Sequence, residues 1–215
     1  MSEHHSDEQV ERIVKWVQAR SRPLSILGLV LALAAVGVWF TLSARTRREN
    51  FAERELLQAK TAADAGNYPL ASTELQRVVE RYSSTRAGQE AALTLGQLRL
   101  IQGQADLAAA EMQTFVGNAD AQFRDQGYGL LGTALEQAGK AADAARAYEE
   151  AAKASRYRLV SVQMLMSAAR AHVAAGDTSA AASDYQRVLD DYKETGAVVE
   201  AQLRLAELRR SDTPS

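Results

Sequence analysis

Histidines and closely spaced carboxylates are the side chains of this sequence that could bind a metal ion or transfer a proton. His4 and His5 stand together near the N-terminus, where two adjacent ligands alone would not form a rigid metal site. His172 is the third and last histidine of the chain. The acidic residues that could pair with His172 in principle are Asp143, Asp177 and Asp184. Because they are scattered along the chain, we predict that His172 is a structural histidine.

Two pairs of adjacent carboxylates, Glu149-Glu150 and Asp190-Asp191, could suggest the acid and base of a glycosidase. Neighbouring residues of a helix point in different directions, so neither pair converges on one substrate bond. We interpret both pairs as solvated helix surface. The sequence therefore predicts no catalytic residue and no metal ligand.

A glycine motif at residues 127–132, Gly-Tyr-Gly-Leu-Leu-Gly, matches the GxGxxG pattern of dinucleotide-binding loops. In those proteins the loop follows a β-strand and begins a helix within a βαβ unit. Residues 120–124 instead predict the start of a helix, and no strand-like alternation lies nearby. We expect Gly127 and Gly129 to be close-contact or bending positions inside a helix, and we predict no cofactor.

The composition favours an all-α protein without a nucleic-acid partner. The chain has 215 residues, only 3 prolines, and an abundance of the strong helix formers Ala, Leu, Gln, Glu and Arg. Its 25 basic and 27 acidic residues give a net charge of -2, which provides no field to attract nucleic acid. With no cysteine, it has neither disulfides nor a thiolate nucleophile. An enzyme of unrecognised type stays open as a minor alternative, and we predict that the protein is not an enzyme.

The run from Leu24 to Leu42 contains no charged residue and would span about 28 Å as a helix. Arginines stand at both ends, and Trp39 could reach the headgroup layer of a bilayer. The run predicts a transmembrane helix over residues 23–42. A cleaved signal peptide is the alternative, but its apolar region is usually only about 7 to 15 residues long.

The segments on either side of this run complete the predicted N-terminal region. Residues 6–9, Ser-Asp-Glu-Gln, form a capping-box pattern, and the apolar residues that follow fall on one helix face. We expect residues 1–22 to contain a short amphipathic helix, which lies on the bilayer surface or docks onto a membrane partner. Residues 43–48 are predicted to be a short linker.

Glycines recur after the linker at intervals of 37, 36 and 37 residues, at Gly66, Gly103, Gly139 and Gly176. An alanine lies five residues after each glycine: Ala71, Ala108, Ala144 and Ala181. Large apolar residues follow at further steps of four, which is the spacing of one helix face. The period predicts one helical hairpin per repeat, with glycine in the tight turn and alanine where the two helices approach closely.

This pattern resembles the tetratricopeptide repeat over residues ~50 to 192, although the proline that usually closes each unit is missing. The predicted fold is all-α, with a single N-terminal transmembrane helix followed by a tetratricopeptide-like α-solenoid of about four helical hairpins. A C-terminal helix from about residue 194 to 210 is expected to cap the last hairpin. We assign residues 49–215 to this repeat domain.

Stacked hairpins are expected to curve so that the first helix of each repeat lines an inner wall, which could bind a partner. By periodicity, the predicted partner-binding residues are Glu53, Lys60, Glu90, Gln97, Gln126, Thr133, Gln137, Gln163 and Arg170. They are mixed in charge and rich in amides. Such a surface suits an extended peptide or a partner helix better than a ligand that needs clustered Lys and Arg.

The order of segments resembles the YfgM family of ancillary subunits of the bacterial SecYEG translocon, most locally at residues 8–11, Lys15-Trp16 and residues 37–39. The resemblance implies a single-pass inner-membrane protein with a cytoplasmic N-terminus, periplasmic repeats, and SecYEG and periplasmic chaperones or emerging polypeptides as partners. Arginines and lysines near the anchor are balanced four against four, so charge alone does not orient it. A cell-envelope assembly scaffold unconnected with the translocon is the alternative function.

Overall fold

The computed structural model describes the backbone of Arg12 and residues 21–211, and the side-chain surroundings of Arg12 and residues 30–210. Within residues 21–211 the chain forms nine α-helices. They are α1 (Ser21–Asp64), α2 (Tyr68–Tyr82), α3 (Arg86–Ile101), α4 (Ala105–Asn118), α5 (Arg124–Gln137), α6 (Ala141–Ala154), α7 (Arg158–Ala174), α8 (Thr178–Asp191) and α9 (Ala197–Ser211). The chain divides into two compact units, residues 1–50 and 51–215.

The predicted transmembrane helix over residues 23–42 is wrong. Helix α1 is 44 residues long in all, and it does not end with the apolar run. It continues through the predicted linker 43–48, with its three arginines, to Asp64. In the part of the chain that the structure describes, no helix combines the length and the apolar character that crossing a bilayer requires. The predicted single-pass location in the inner membrane, with a periplasmic repeat domain, is therefore also wrong. The amphipathic helix predicted within residues 1–22 lies almost wholly outside the described residues.

Four helical hairpins follow one another in unit 51–215, and each turns at one of the four periodic glycines. These glycines have φ between 73° and 81°, in the left-handed region where a side chain is strained. The two backbone hydrogen bonds around Gly139 show the pattern: its N–H donates to Glu136, and the N–H of Lys140 donates to Leu135. Gly66, Gly103 and Gly176 are bracketed in the same way, so all four helices end in a Schellman motif.

The residue after each glycine is the N-cap of the second helix of its hairpin, so the turn contains almost no loop. Asn67 accepts a hydrogen bond from the Leu70 N–H with its side chain, and Asp177 does the same for Ala180. These caps satisfy backbone donors that a helix start leaves free. Each turn therefore determines which residues of its first helix lie opposite which residues of its second helix.

The predicted alanines lie in the helix contacts of every hairpin. Ala71, Ala108, Ala144 and Ala181 are fully buried. Large side chains on the second helices fill the space beside them, and the first helices accommodate these with small residues. A Cβ added at Gly96 would lie 3.0 Å from Met112 Cε, and one added at Gly132 would lie 2.6 Å from the Tyr148 ring. The close approach of the two helices thus depends on residues without bulk at these positions.

Helix α9 packs against the last hairpin. Its buried Ala201 and Leu205 belong to the same apolar cluster as Leu165 of α7 and Tyr185 of α8. Val199 and Leu203 of the same helix are exposed. The helix covers apolar surface that a stack of hairpins would otherwise leave open at its end.

Replacing Ala144 with leucine tests the hairpin packing. Ala144 is fully buried among Ala145, Tyr148, Ala168 and Ala171, so we expect Ala144→Leu to overpack the contact and lower the free energy of unfolding by about 1 to 3 kcal/mol. Ala142→Leu on the exposed side of α6 is the matched control, and urea denaturation of both variants measures the difference. Equal stabilities for the two variants would contradict this packing.

Candidate functional site

The nine predicted partner-binding residues lie on the first helices of the four hairpins, and we call this surface the first-helix face. Helix α1 carries Glu53 and Lys60, α3 carries Glu90 and Gln97, α5 carries Gln126, Thr133 and Gln137, and α7 carries Gln163 and Arg170. Six of them are exposed: Glu53, Gln97, Gln126, Gln137, Gln163 and Arg170. The other three are half-buried. The six exposed side chains are accessible to a partner and are distributed over the first helices of all four hairpins.

The half-buried members of the first-helix face contact neighbouring helices. Lys60 forms a salt bridge with Glu90, which joins α1 to α3. Thr133 lies 3.2 Å from the hydroxyl of Tyr148, and that hydroxyl donates a 2.9 Å hydrogen bond to Glu136. Burial raises the pKa of Tyr148 to about 12, so this phenol stays protonated at neutral pH. These contacts hold Lys60, Glu90 and Thr133 against neighbouring helices. They do not create a nucleophile or a general base.

A groove that the sequence did not predict lies between the second helices α2 and α4, and none of the nine predicted residues lines it. Its volume is about 480 Å³, and helix α3 forms its floor. Val79, Ala92, Leu95, Met112 and Phe115 supply much of its apolar lining. The size falls in the range of pockets that bind small ligands or side chains of a partner.

Polar contacts border this groove. The Gln89 side chain donates a 2.8 Å hydrogen bond to Asp120 and accepts one of 2.8 Å from the Asp120 backbone N–H. Glu111 lines the groove, and its carboxylate lies 3.5 Å from the Arg99 guanidinium. Burial raises the pKa of Glu111, and the neighbouring Arg99 opposes that rise.

A second polar cluster joins three helices of the last two hairpins. His172 of α7 lies 3.0 Å from the Glu149 carboxylate of α6, measured from Nε2 to Oε1. The same nitrogen lies 3.8 Å from Oδ2 of Asp184 on α8. Burial raises the pKa of Asp184 to about 6, and the Glu149 carboxylate adds to the rise. Among the described residues, these three form the group that could hold a metal ion. His4 and His5 lie outside the described residues.

Sequence reasoning missed this cluster because its members are far apart in the chain, although the repeat register contains the signal. His172 lies four residues before its turn glycine, and Asp184 lies eight after it. Arg99 and Glu111 occupy the same two positions around Gly103. Aligning the repeats on their glycines would therefore have paired His172 with Asp184.

The GxGxxG match at residues 127–132 lies inside helix α5. A Cβ added at Gly127 would lie 2.8 Å from Phe115, and one at Gly129 would lie 3.3 Å from Met164. Both glycines are therefore close-contact positions inside a helix, as the sequence predicted. A loop that follows a strand and wraps a phosphate is not present at this place.

Family comparisons agree with this architecture. The family described as tetratricopeptide repeat-like domain matches residues 33–165, and the tetratricopeptide repeat family matches residues 166–211. No curated protein is significantly similar to the chain in sequence.

Solved structures with a similar fold include two of the protein MamA. Residues 41 to the end of MamA from Desulfovibrio magneticus RS-1 align with a TM-score of 0.52 and 20% identity, over 67% of this chain and 77% of that one. The ArsTM double mutant of MamA RS-1 aligns with a TM-score of 0.54 and 18% identity, over 88% of this chain and 96% of that one. At such identities the likeness concerns the fold.

The raised pKa of Glu111 predicts a pH effect on stability. A carboxyl whose pKa is higher in the folded than in the unfolded state loses stabilising free energy as the pH rises from the ordinary value of about 4.5 through the raised folded value. Glu111→Gln removes this loss, so we expect its stability relative to the native chain to increase over that range. Glu150→Gln is the control, because Glu150 is paired with Lys153 at the surface. Parallel pH curves for the Glu111 variant and the native chain, from urea denaturation, would contradict the prediction.

Proposed function

The chain belongs to the tetratricopeptide repeat-like family, and from this membership we propose that it is a protein-binding scaffold whose first-helix face holds an extended segment of a partner. A scaffold of this kind needs no catalytic residue, and we propose that the protein is not an enzyme. The repeat domain carries the binding function, within the range 49–215.

The observation that carries this proposal is the row of exposed amide side chains on three successive first helices. Gln97 on α3, Gln126 and Gln137 on α5, and Gln163 on α7 are all exposed. A primary amide both donates and accepts hydrogen bonds, so it can pair with the N–H and C=O groups of an extended backbone. Such groups on several stacked helices suit a ligand that is itself extended.

The charges on the face define the kind of segment that fits. Lys60 and Glu90 neutralise each other, so the exposed charges of the predicted set are Glu53 at one end and Arg170 at the other. The amides between them carry no charge. We therefore propose a partner segment of low net charge, recognised mainly through its backbone.

The partners implied by the sequence resemblance, SecYEG and periplasmic chaperones, stay predictions. The membrane helix that would have attached the chain to a translocon was wrong, so this link depends on the resemblance alone. The alternative role, in assembly of the cell envelope, also stays a prediction. Co-purification from cells, followed by identification of the bound proteins, tests both.

Peptide binding tests the proposed function. Peptides selected from a library of extended segments should bind the native chain, and Gln97→Ala with Gln126→Ala should weaken binding on the order of tenfold, because two hydrogen bonds are lost. Gln113→Ala with Gln186→Ala, on exposed positions of the second helices, is the matched control and should bind normally.

N-methylation of the peptide backbone separates backbone recognition from side-chain recognition. We expect methylation at alternate residues to abolish binding, since it removes the N–H donors that the amides accept from. Undiminished binding by the glutamine variant, or by the methylated peptides, would overturn the proposal. Loss of binding on mutation of the α2–α4 groove alone would move the site there.

A further inference from the structure

We propose that Glu149, His172 and Asp184 form a binding site for a divalent transition-metal ion, with Zn²⁺ as the ion that fits best. This site lies on α6, α7 and α8 and uses none of the residues of the first-helix face. One nitrogen and two carboxylate oxygens, all within 4.8 Å of one another, are available as ligands.

The two distances from the His172 nitrogen lie close to the ligand separations of a small tetrahedral ion. Ligand atoms on a tetrahedron with bonds of about 2.0 to 2.2 Å lie about 3.3 to 3.6 Å apart. His172 Nε2 lies 3.0 Å from Glu149 Oε1 and 3.8 Å from Asp184 Oδ2. Shifts of a few tenths of an ångström would bring both pairs to this separation. A rotation of the Glu149 side chain, which is 28% exposed, can supply such a shift.

Asp184 provides independent support, because one of its oxygens lies buried without a partner. The residue is 3% exposed, and Oδ2 has no hydrogen-bond donor. Its other oxygen, Oδ1, lies 3.4 Å from the Arg187 guanidinium. Buried carboxylate oxygens are normally satisfied by a donor or a cation. Arg187 thus holds one oxygen from outside while the free one points at His172, the arrangement expected of a ligand with outer-shell support.

The charge of the cluster also favours a dication. Glu149 and Asp184 contribute two negative charges when ionised, and Arg187 contributes one positive charge at the edge. An ion with two positive charges would compensate the carboxylates and leave the imidazole neutral, the form that binds metals. A site of three protein ligands, one of which is an imidazole, favours a transition metal. Ca²⁺ and Mg²⁺ prefer a larger number of oxygen ligands.

The consequence of binding would be a cross-link between two hairpins. Glu149 belongs to the third hairpin, whereas His172 and Asp184 belong to the two helices of the fourth. Three protein ligands leave one tetrahedral position for water. The corresponding positions at the junction of the first two hairpins hold Gln76, Arg99 and Glu111, where the guanidinium supplies the positive charge itself. The same position of the repeat would thus hold an arginine side chain in the second hairpin and a bound metal ion in the fourth.

Zinc titration of the full-length chain tests the site, in a His4→Gln, His5→Gln background that leaves His172 as the last histidine. Calorimetry should show one Zn²⁺ per chain. The melting temperature should rise by about 5 to 10 °C at free Zn²⁺ about a hundredfold above Kd, and return when EDTA is added. Glu149→Gln and His172→Gln should each weaken binding at least about tenfold, as loss of a ligand implies.

Glu150→Gln, next to Glu149 on α6 but bonded to Lys153, is the matched control and should bind zinc normally. Glu149→Gln changes a partly exposed side chain, so it keeps the test valid if substitutions of the buried His172 impair folding. Zinc binding unchanged by Glu149→Gln, or a melting temperature insensitive to zinc and EDTA in the background chain, would overturn the proposal. The cluster would then be a structural polar contact between α6, α7 and α8.

Discussion

The left-handed glycine at each hairpin turn is the constraint on which the rest of the repeat unit depends. Among the described residues, the four with positive φ are these glycines, and all four are bracketed by the same two backbone hydrogen bonds. Because a single residue separates the glycine from the next helix, no loop is left to absorb an error in register. The turn therefore decides which residues of the first helix face which residues of the second.

Once the turn has set the register, the packing and the polar clusters follow from residues at fixed distances from it. Gly96 and Gly132 on the first helices leave space for the side chains of Met112 and Tyr148 on the second helices. The contact between a basic residue four before the glycine and an acidic one eight after it recurs in the second and fourth hairpins. In the third hairpin the same positions hold Leu135 and Ala147, which pack as apolar side chains. A single turn geometry thus supports alternative interactions at one place in the repeat.

The sequence predicted the elements that depend on local chemistry and missed those that depend on stacking. Glycine conformation and helix periodicity are local, so the turns and the buried alanines could be read from the chain. The charge-free run before Arg45 was interpreted as a separate membrane segment, because hydropathy does not show where the helix that contains it ends. His172 and Glu149 are 23 residues apart, and their meeting requires that two hairpins stack, which no local pattern encodes. The groove between α2 and α4 was missed for the same reason.

The most direct test of the turn constraint compares three chains that differ only at position 139: glycine, L-alanine and D-alanine, introduced by ligation of peptide segments. The Cβ of L-alanine at this position would meet no atom within 4 Å, so its effect on stability would come from the backbone conformation. At a φ of 73°, L-alanine should lower the free energy of unfolding by about 1 to 2 kcal/mol. D-alanine, which favours positive φ, should match or exceed glycine because it restricts the unfolded chain. Equal stabilities of the L- and D-alanine chains would contradict the account.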